Sequence, residues 1–305
     1  METYNCDLCG SDQHEVIWDK TEREKQGILR SVVIRDNSGN IVHGRVVMCK
    51  RCALVYIRER MSKAELDKFY EEEYRETYHE IEGANIHSEK SHAQNAFEII
   101  RSDIKIRIDS ILDIGCSSGQ LLDLFTPISG YAYVKKEGVE KSQFKTGKHR
   151  VYSDISEVKN TYDIVTMLNT LEHVYSPTET LQSVYNLLND NGYLLVSVPD
   201  IYNTNIKRPV DSYLSNAHLY TFSPHTIGMM FNKCGFTVEG IYSIPEEIGD
   251  KLYVLARKTE PIEIEWDMHA DTKSMKVFLQ YVDAVFIGQH MFKLGGCRIE
   301  HKNNS

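Results

Sequence analysis

The sequence has no apolar run long enough to span a bilayer, and Met1–Gly10 is polar, without the cationic stretch and apolar core of a signal peptide. A cytoplasmic location is therefore the expectation. Basic residues are not in excess either: 35 Lys and Arg against 44 Asp and Glu give a net charge of −9. That balance opposes a protein whose main task is wrapping nucleic acid or lying on an anionic membrane, because either favours a broad basic face. The basic stretch Lys20–Lys63 and the acidic stretch Glu65–Glu82 read as solvated faces. No internal repeat and no low-complexity tract occurs. What remains is a 305-residue chain, 41% hydrophobic and 26% charged, with the composition of a globular protein of about two domains.

A dinucleotide fingerprint is missing as well. Ser110–Phe125 reads SILDIGCSSGQLLDLF, a G-x-S-x-G run where a pyrophosphate site needs G-x-G-x-x-G. Ile111, Leu112 and Ile114 are branched and apolar, as a buried parallel strand requires, and Gly115 and Gly119 let backbone N–H groups approach a ligand closely. Asp113, just ahead of the loop, suits a cationic ligand. Tyr131–Glu140 reads as a second strand ending in an acid, Glu140, placed where it can take both hydroxyls of a ribose. His149–Asp154 and Tyr162–Leu168 follow as strands, and Ser176-Pro177-Thr178-Glu179 combines N-cap, N1 proline and capping-box acid for a helix to about Asn189. Asn191-Gly192 turns the chain into Tyr193–Val198. Ser223-Pro224 opens a helix to Gly235, and Phe236–Ile244 with Leu252–Ala256 makes a closing antiparallel pair.

Taken in order, DIGCSSG, GVE, YDIVTMLNTLEHV, NGYLLVSVP and AHLYTFSPHTIGMMFNKCGF resemble a class I S-adenosylmethionine-dependent methyltransferase over about Ile111–Lys258. The resemblance implies an α/β fold with a seven-stranded Rossmann-like sheet. It implies that Asp113, Gly115 and Gly119 hold the methionine end of the cofactor, Glu140 the ribose, and Asp154 with Ile155 the adenine edge, while Asn169 lines the floor and Cys116 and Ser117 complete the loop. The family commonly carries glycine at the place of Ser117. A serine there restricts φ and puts a hydroxyl near the ligand, so weaker cofactor binding is expected. Cys116 reads as a small buried filler, since nothing beside it in sequence would lower its pKa.

Four of the seven cysteines stand as Cys6-x-x-Cys9 and Cys49-x-x-Cys52. Two such knuckles can close a tetrahedral S₄ shell with Zn–S bonds of about 2.3 Å, a structural zinc ribbon with no open place for catalysis. Redox pairs or disulfides are the competing reading and suit a secreted chain better. The expected fold-back between the knuckles is ILRSVVIR against IVHGRVVM, turning at Asp36–Asn40. A module so small would draw much of its folding free energy from the metal. Cys116, Cys234 and Cys297 look unpaired.

Ser62-x-x-Glu65 is a second capping box, opening a helix with Leu66, Phe69 and Tyr70 on one face, and His87–Ile104 reads as a helix that would cover the cofactor. FYEEEYRETYH resembles the tyrosine-rich entry of zinc-ribbon sugar methyltransferases, which makes Tyr74 and Tyr78 candidates to lean over the active site, with packing as the competing reading.

Methyl transfer from a sulfonium is an in-line displacement that requires loss of an acceptor proton. His173 and His218 lie in loops leaving the C-terminal ends of strands, where open α/β sheets place ligands, and either can serve as base. His218 is the better candidate; His173 has a helix-entry role as its alternative. The sugar C-methyltransferases that this chain resembles commonly carry a tyrosine and a glutamate just before this histidine. Here those places are Ser215 and Ala217. The missing acid favours an oxygen acceptor over a carbon acceptor. Those relatives also carry a further C-terminal domain, whereas here one helical stretch, Asp271–Leu294, follows; its stripe of Phe278, Val282, Val285, Phe286 and Met291 suits core packing or a homodimer contact.

The expected organisation is a zinc ribbon over 1–60, a helical linker and cofactor cover over 61–104, the S-adenosylmethionine-binding domain over 105–260, and a C-terminal helical extension over 261–305. The expected function is methyl transfer to a sugar, nucleotide-linked or within a growing surface polysaccharide, with S-adenosylmethionine as cofactor and zinc as structural metal. The rivals are a binding or assembly protein that keeps the fold without turnover, and a nucleic-acid methyltransferase that uses the ribbon as a grip.

Overall fold

The computed structural model of the chain describes residues 1–30, 33–36, 38–72, 86–141, 148–202, 209–215, 217–246 and 249–264, with 273, 275, 276, 278–280, 282 and 283 beyond them. The front of the chain builds β1 (Glu2–Thr3), β2 (His14–Asp19), α1 (Lys20–Lys25), β3 (Arg45–Cys49), β4 (Val55–Ile57) and β5 (Glu59–Arg60). Asp19 caps α1 by accepting from the Glu22 amide. The fold-back differs in part from the expected one: β3 pairs with β2, while among the described residues the 28–35 stretch meets the segment after the Asp36 turn through the bridge Arg35↔Ile41 and the Val42 amide, which donates to the Ile34 carbonyl at 2.9 Å. A bulge between Val16 and Trp18 breaks the strict alternation of β2, which hides the strand from a period-2 reading.

Two helices follow, α2 (Lys63–Glu72) and α3 (Ile86–Asp103). Ser62 and Glu65 form the expected reciprocal cap of α2, at 2.8 and 3.3 Å. Tyr74 and Tyr78 lie outside the described residues.

The main sheet is laid down by β6 (Ser110–Ile114), α4 (Gln120–Leu124), β7 (Lys135–Val139), β8 (Arg150–Tyr152), β9 (Tyr162–Leu168), α5 (Pro177–Leu187), β10 (Leu188–Pro199), α6 (Val210–Tyr213), β11 (Tyr220–Thr221), α7 (Pro224–Lys233), β12 (Phe236–Ile244) and β13 (Lys251–Lys258). Its seven strands run β12-β13-β10-β9-β6-β7-β8. Five are parallel and the last two, β12 and β13, join antiparallel. The strand order reverses at β6, where open α/β sheets form a crevice beyond the strand ends. β7 starts four residues later than expected: Tyr133 is 93% exposed, so the alternating YAYV does not mark a buried strand.

The front module shares its core with this sheet. β11, from the distal part of the chain, completes a four-stranded sheet β11-β4-β3-β2. One cluster of buried apolar side chains runs from Cys6 and Val46 to Leu219 and Val254. The buried Arg60 guanidinium lies over the rings of Tyr4, Tyr175 and Tyr220 at 4.4, 4.8 and 5.3 Å and donates to the Tyr220 hydroxyl at 2.8 Å. Asp7 accepts from the Ser176 hydroxyl and the Thr178 amide at the start of α5, at 2.7 and 2.8 Å. Of the C-terminal stripe, Val282 is buried and Phe278 stacks on Tyr202 at 5.8 Å, so both pack within this chain. Val285, Phe286, Met291 and Cys297 lie outside the described residues. Among the described residues no helix is long and apolar enough to cross a membrane.

Candidate active site

The ends of β6, β7, β8 and β9 open into a cavity of about 610 Å³ lined also by α2, α3 and the loop before β13. The amides of Gly115 and Cys116 both donate to the Val139 carbonyl, at 2.8 and 3.1 Å, which ties the loop after β6 to the end of β7. Gly115 has φ +78°, and a Cβ there would stand 2.2 Å from Thr170 Oγ1. Only glycine lets the loop close on that threonine. Ser117 also sits in the left-handed region, with φ +47°, and its amide donates to Glu140 Oε2 at 2.9 Å. The serine therefore occupies the backbone conformation that glycine takes without strain.

Asp113 is 4% exposed, accepts from the Thr166 hydroxyl at 2.6 Å, and burial pushes its carboxyl up to about 7. Cys116 is buried against Gly138, where a Cβ would come within 2.5 Å of its sulfur, so it acts as a filler between loop and strand. Asp154 caps the short 3₁₀ turn Ile155–Glu157 by accepting from the Ser156 amide at 2.9 Å, which holds its carboxyl below the usual range, and Lys141 and Lys63 act in the same direction. Asn169 has φ +48°; its amide donates to the Ser197 carbonyl and hydroxyl, and its buried Oδ1 has no hydrogen-bond partner. Ser118 Oγ is orphaned in the same way. Buried polar atoms without partners on a cavity wall are groups a ligand can satisfy.

On the wall of the same cavity the structure brings His173 and His218 together, ring centroids 4.8 Å apart and edge to face. His173 Nδ1 is 3.0 Å from the Ala217 carbonyl and His218 Nδ1 is 3.3 Å from the Tyr213 carbonyl. A carbonyl can only accept, so Nδ1 carries the proton in each ring and Nε2 carries the lone pair. Burial pushes His173 down to about 4; burial, followed by the neighbouring His173, pushes His218 down as well. Both rings are therefore neutral at pH 7.

The sulfurs of Cys6, Cys9, Cys49 and Cys52 lie within 4.8 Å of one another, with Cys6 to Cys52 at 3.4 Å and Cys9 to Cys49 at 3.6 Å. Sulfurs around one tetrahedral ion with bonds of about 2.3 Å stand roughly 3.8 Å apart, so the donor set fits a metal. The knuckles share one turn: Gly10 follows Cys9 at φ +74° and donates to Cys6, and Ala53 follows Cys52 at φ +64° and donates to Cys49. Side-chain hydrogen bonds with Cys49 and Cys52 push the Cys6 thiol up, a competition for protons that a bound cation ends.

A family profile described as a methyltransferase domain matches residues 66–240, more than half of the chain. The chain belongs to the methyltransferase family. Its fold is also that of Burkholderia thailandensis 1,6-didemethyltoxoflavin-N1-methyltransferase, solved with 1,6-didemethyltoxoflavin and S-adenosylhomocysteine: 15% identity, 70% of this chain and 96% of that one, TM-score 0.51. The magnesium protoporphyrin IX methyltransferase of Synechocystis, solved with S-adenosylhomocysteine, is similar at 13% identity over 65% of this chain and 100% of that one, with a TM-score of 0.48. No curated protein matches the sequence.

The structure of this methyltransferase adds residues that sequence reading missed. Glu172 is 1% exposed on the cavity wall, and burial pushes its carboxyl up to about 7. Its Oε1 lies 3.9 Å from His173 Nε2, so the acid absent beside His218 in sequence comes near the histidine pair from the preceding loop. His92 and Glu246 also line the cavity, joined at 2.9 Å, and His92 Nε2 reaches the Ser197 hydroxyl at 2.8 Å. Position next to a histidine was the only signal for Glu172, and nothing local marked Glu246.

Proposed function

We propose that this methyltransferase takes a methyl group from S-adenosylmethionine and places it on a hydroxyl of a small sugar-type acceptor, nucleotide-linked or within a surface polysaccharide, with a structural zinc on Cys6, Cys9, Cys49 and Cys52. One observation carries the reading. Asp113 and Glu140, at the ends of adjacent parallel strands, border the left-handed loop Gly115–Gly119 at the point where the strand order reverses, and two neutral imidazoles line the same cavity.

The chain's own residues divide the work. Asp113 and the loop amides receive the cationic methionine end, Glu140 the ribose hydroxyls, Asp154 and Ile155 the adenine edge, and the orphaned Asn169 Oδ1 gains a partner when the cavity fills. The cofactor supplies an electrophilic methyl group on a sulfonium, which leaves as a neutral thioether once the methyl group is bonded to the acceptor oxygen. His218 Nε2 receives the hydroxyl proton, and His173 packs against its ring. Both imidazoles lean on backbone carbonyls rather than on carboxylates, so neither gains the basicity that a carbon-bound proton demands, which favours oxygen over carbon. The sugar class rests on the resemblance to zinc-ribbon sugar methyltransferases and suits a cavity with room for an acceptor beside the cofactor. The acidic balance disfavours a nucleic-acid substrate.

The test is incubation with isotopically methyl-labelled S-adenosylmethionine and a panel of nucleotide sugars, read by mass spectrometry. A labelled O-methyl sugar supports the reading. Label found only on carbon, or only on added RNA, overturns it.

A further inference from the structure

The geometry points to a second metal site, separate from the four cysteines, in which Glu172, His173 and His218 hold a divalent first-row transition cation at the acceptor end of the cavity. One ligand atom from each of the three lies within 4.8 Å of the others, and Glu172 Oε1 is 3.9 Å from His173 Nε2. Donors around an ion at about 2.0–2.2 Å stand roughly 3–3.5 Å apart. Small side-chain rotations close that gap.

Two independent features prepare the cluster for an ion. Each histidine donates its Nδ1 proton to a backbone carbonyl, Ala217 for His173 and Tyr213 for His218, which is the outer hydrogen bond that fixes Nε2 as the ligating nitrogen in metal sites. Glu172 is the second: it is buried, it lines the cavity, and both of its carboxylate oxygens lack hydrogen-bond partners. A buried carboxylate left so is costly, and a cation removes the cost.

Two imidazole nitrogens and one carboxylate oxygen suit manganese, iron, cobalt or zinc better than magnesium or calcium. Lys251 lines the same cavity and opposes a further positive charge, so the site binds more weakly than the thiolate cluster. Three protein donors leave open positions toward the cavity, and two adjacent ones match the vicinal hydroxyls of a sugar. That last step alone rests on the proposed function. In the ion-free protein His218 is the proton acceptor; with the ion seated, both Nε2 atoms would be ligands and the second carboxylate oxygen of Glu172 would take the hydroxyl proton.

The experiment uses full-length protein whose zinc content has been measured at one per chain. Cobalt(II) is titrated in and followed by visible absorption. The expected result is one added equivalent at micromolar concentration, with weak bands that lack thiolate charge transfer, and at least tenfold weaker binding in Glu172→Gln and in His218→Ala at unchanged zinc content. If either variant fails to fold, wild-type protein serves. Manganese(II) should then broaden the signals of His173 and His218 most strongly among the twelve histidines. No added equivalent, cobalt that only displaces zinc from the thiolates, unaltered affinity in the variants, or strongest broadening at other histidines overturns the site. Calorimetry with S-adenosylhomocysteine on the same sample reports separately on the methyl-transfer reading.

Discussion

The Ile57 amide donates to the Leu219 carbonyl at 2.8 Å, and beside it Tyr56 and Tyr220 pair in antiparallel register. His218 immediately precedes this junction. The loop that carries it therefore leads directly into β11, the strand added to the cysteine-bearing sheet, and its position depends on that sheet being folded. Metal loss should act on turnover through this contact more than on cofactor binding. Cys49→Ser is expected to abolish zinc binding, which supplies on the order of 10 kcal/mol to such modules. Methyl transfer should fall by at least a hundredfold while affinity for S-adenosylhomocysteine changes by less than about tenfold, since a general base in the role proposed for His218 is worth roughly 10²–10⁴. Zinc analysis, calorimetry and turnover on one preparation check this, and full turnover without zinc would contradict it.

The loop after β6 carries a second prediction, because Ser117 and Gly115 share the left-handed region for different reasons. Ser117→Gly removes a strain of roughly 1–2 kcal/mol and gives back part of it as unfolded-chain entropy. Denaturation should show stability unchanged or raised by up to about 1 kcal/mol, with cofactor affinity equal or better. Gly115→Ala drives a Cβ to 2.2 Å from Thr170 Oγ1 and should cost roughly 2 kcal/mol or more, with a marked loss of affinity.

Asp113 predicts a pH dependence. Its folded carboxyl, pushed up by burial to about 7, keeps its proton to a higher pH than the unfolded carboxyl with its ordinary value of 3.8. Between those values the folded state binds more protons, so the stability of the cofactor-free protein falls as pH rises from about 4 to 7 and levels above. A cationic ligand favours the ionised form. Cofactor affinity should therefore strengthen with rising pH by up to roughly tenfold per unit below 7, and flatten above it. Glu172, also raised to about 7 by burial, adds to the stability slope in both proteins and cancels when wild type is compared with Asp113→Asn. Calorimetry from pH 5.5 to 8 checks the difference; an Asp113→Asn variant that retains the full slope would contradict it.

Much of this architecture was legible because its signals are local. The run Ile111, Leu112, Ile114 gave β6, Ser176 with Pro177 gave the start of α5, and Asp113 and Glu140 stand at the ends of two adjacent strands as expected. What stayed hidden depends on distance along the chain. β11 is two residues long and pairs with a strand more than 160 residues earlier, so no periodicity announces it. β2 is disguised by its bulge, and the alternating aromatics at 131–134 imitate a strand that the exposed Tyr133 rules out. Glu172 was visible as an acid beside a histidine. Its burial, which gives it chemical meaning, arises only in the folded chain, where its carbonyl accepts from the Tyr220 amide of β11, 48 residues later.

Asp113 and Glu140, at the ends of adjacent strands, are proposed to hold one sulfonium nucleoside between them. Isothermal titration of the full-length protein with S-adenosylhomocysteine and with S-adenosylmethionine, repeated on Glu140→Ala, tests it most directly. One site per chain at micromolar affinity is expected, with the demethylated product bound at least as tightly as the donor and a tenfold or greater loss in the variant. Absence of heat at saturating ligand, or a variant that binds as well as wild type, would contradict it.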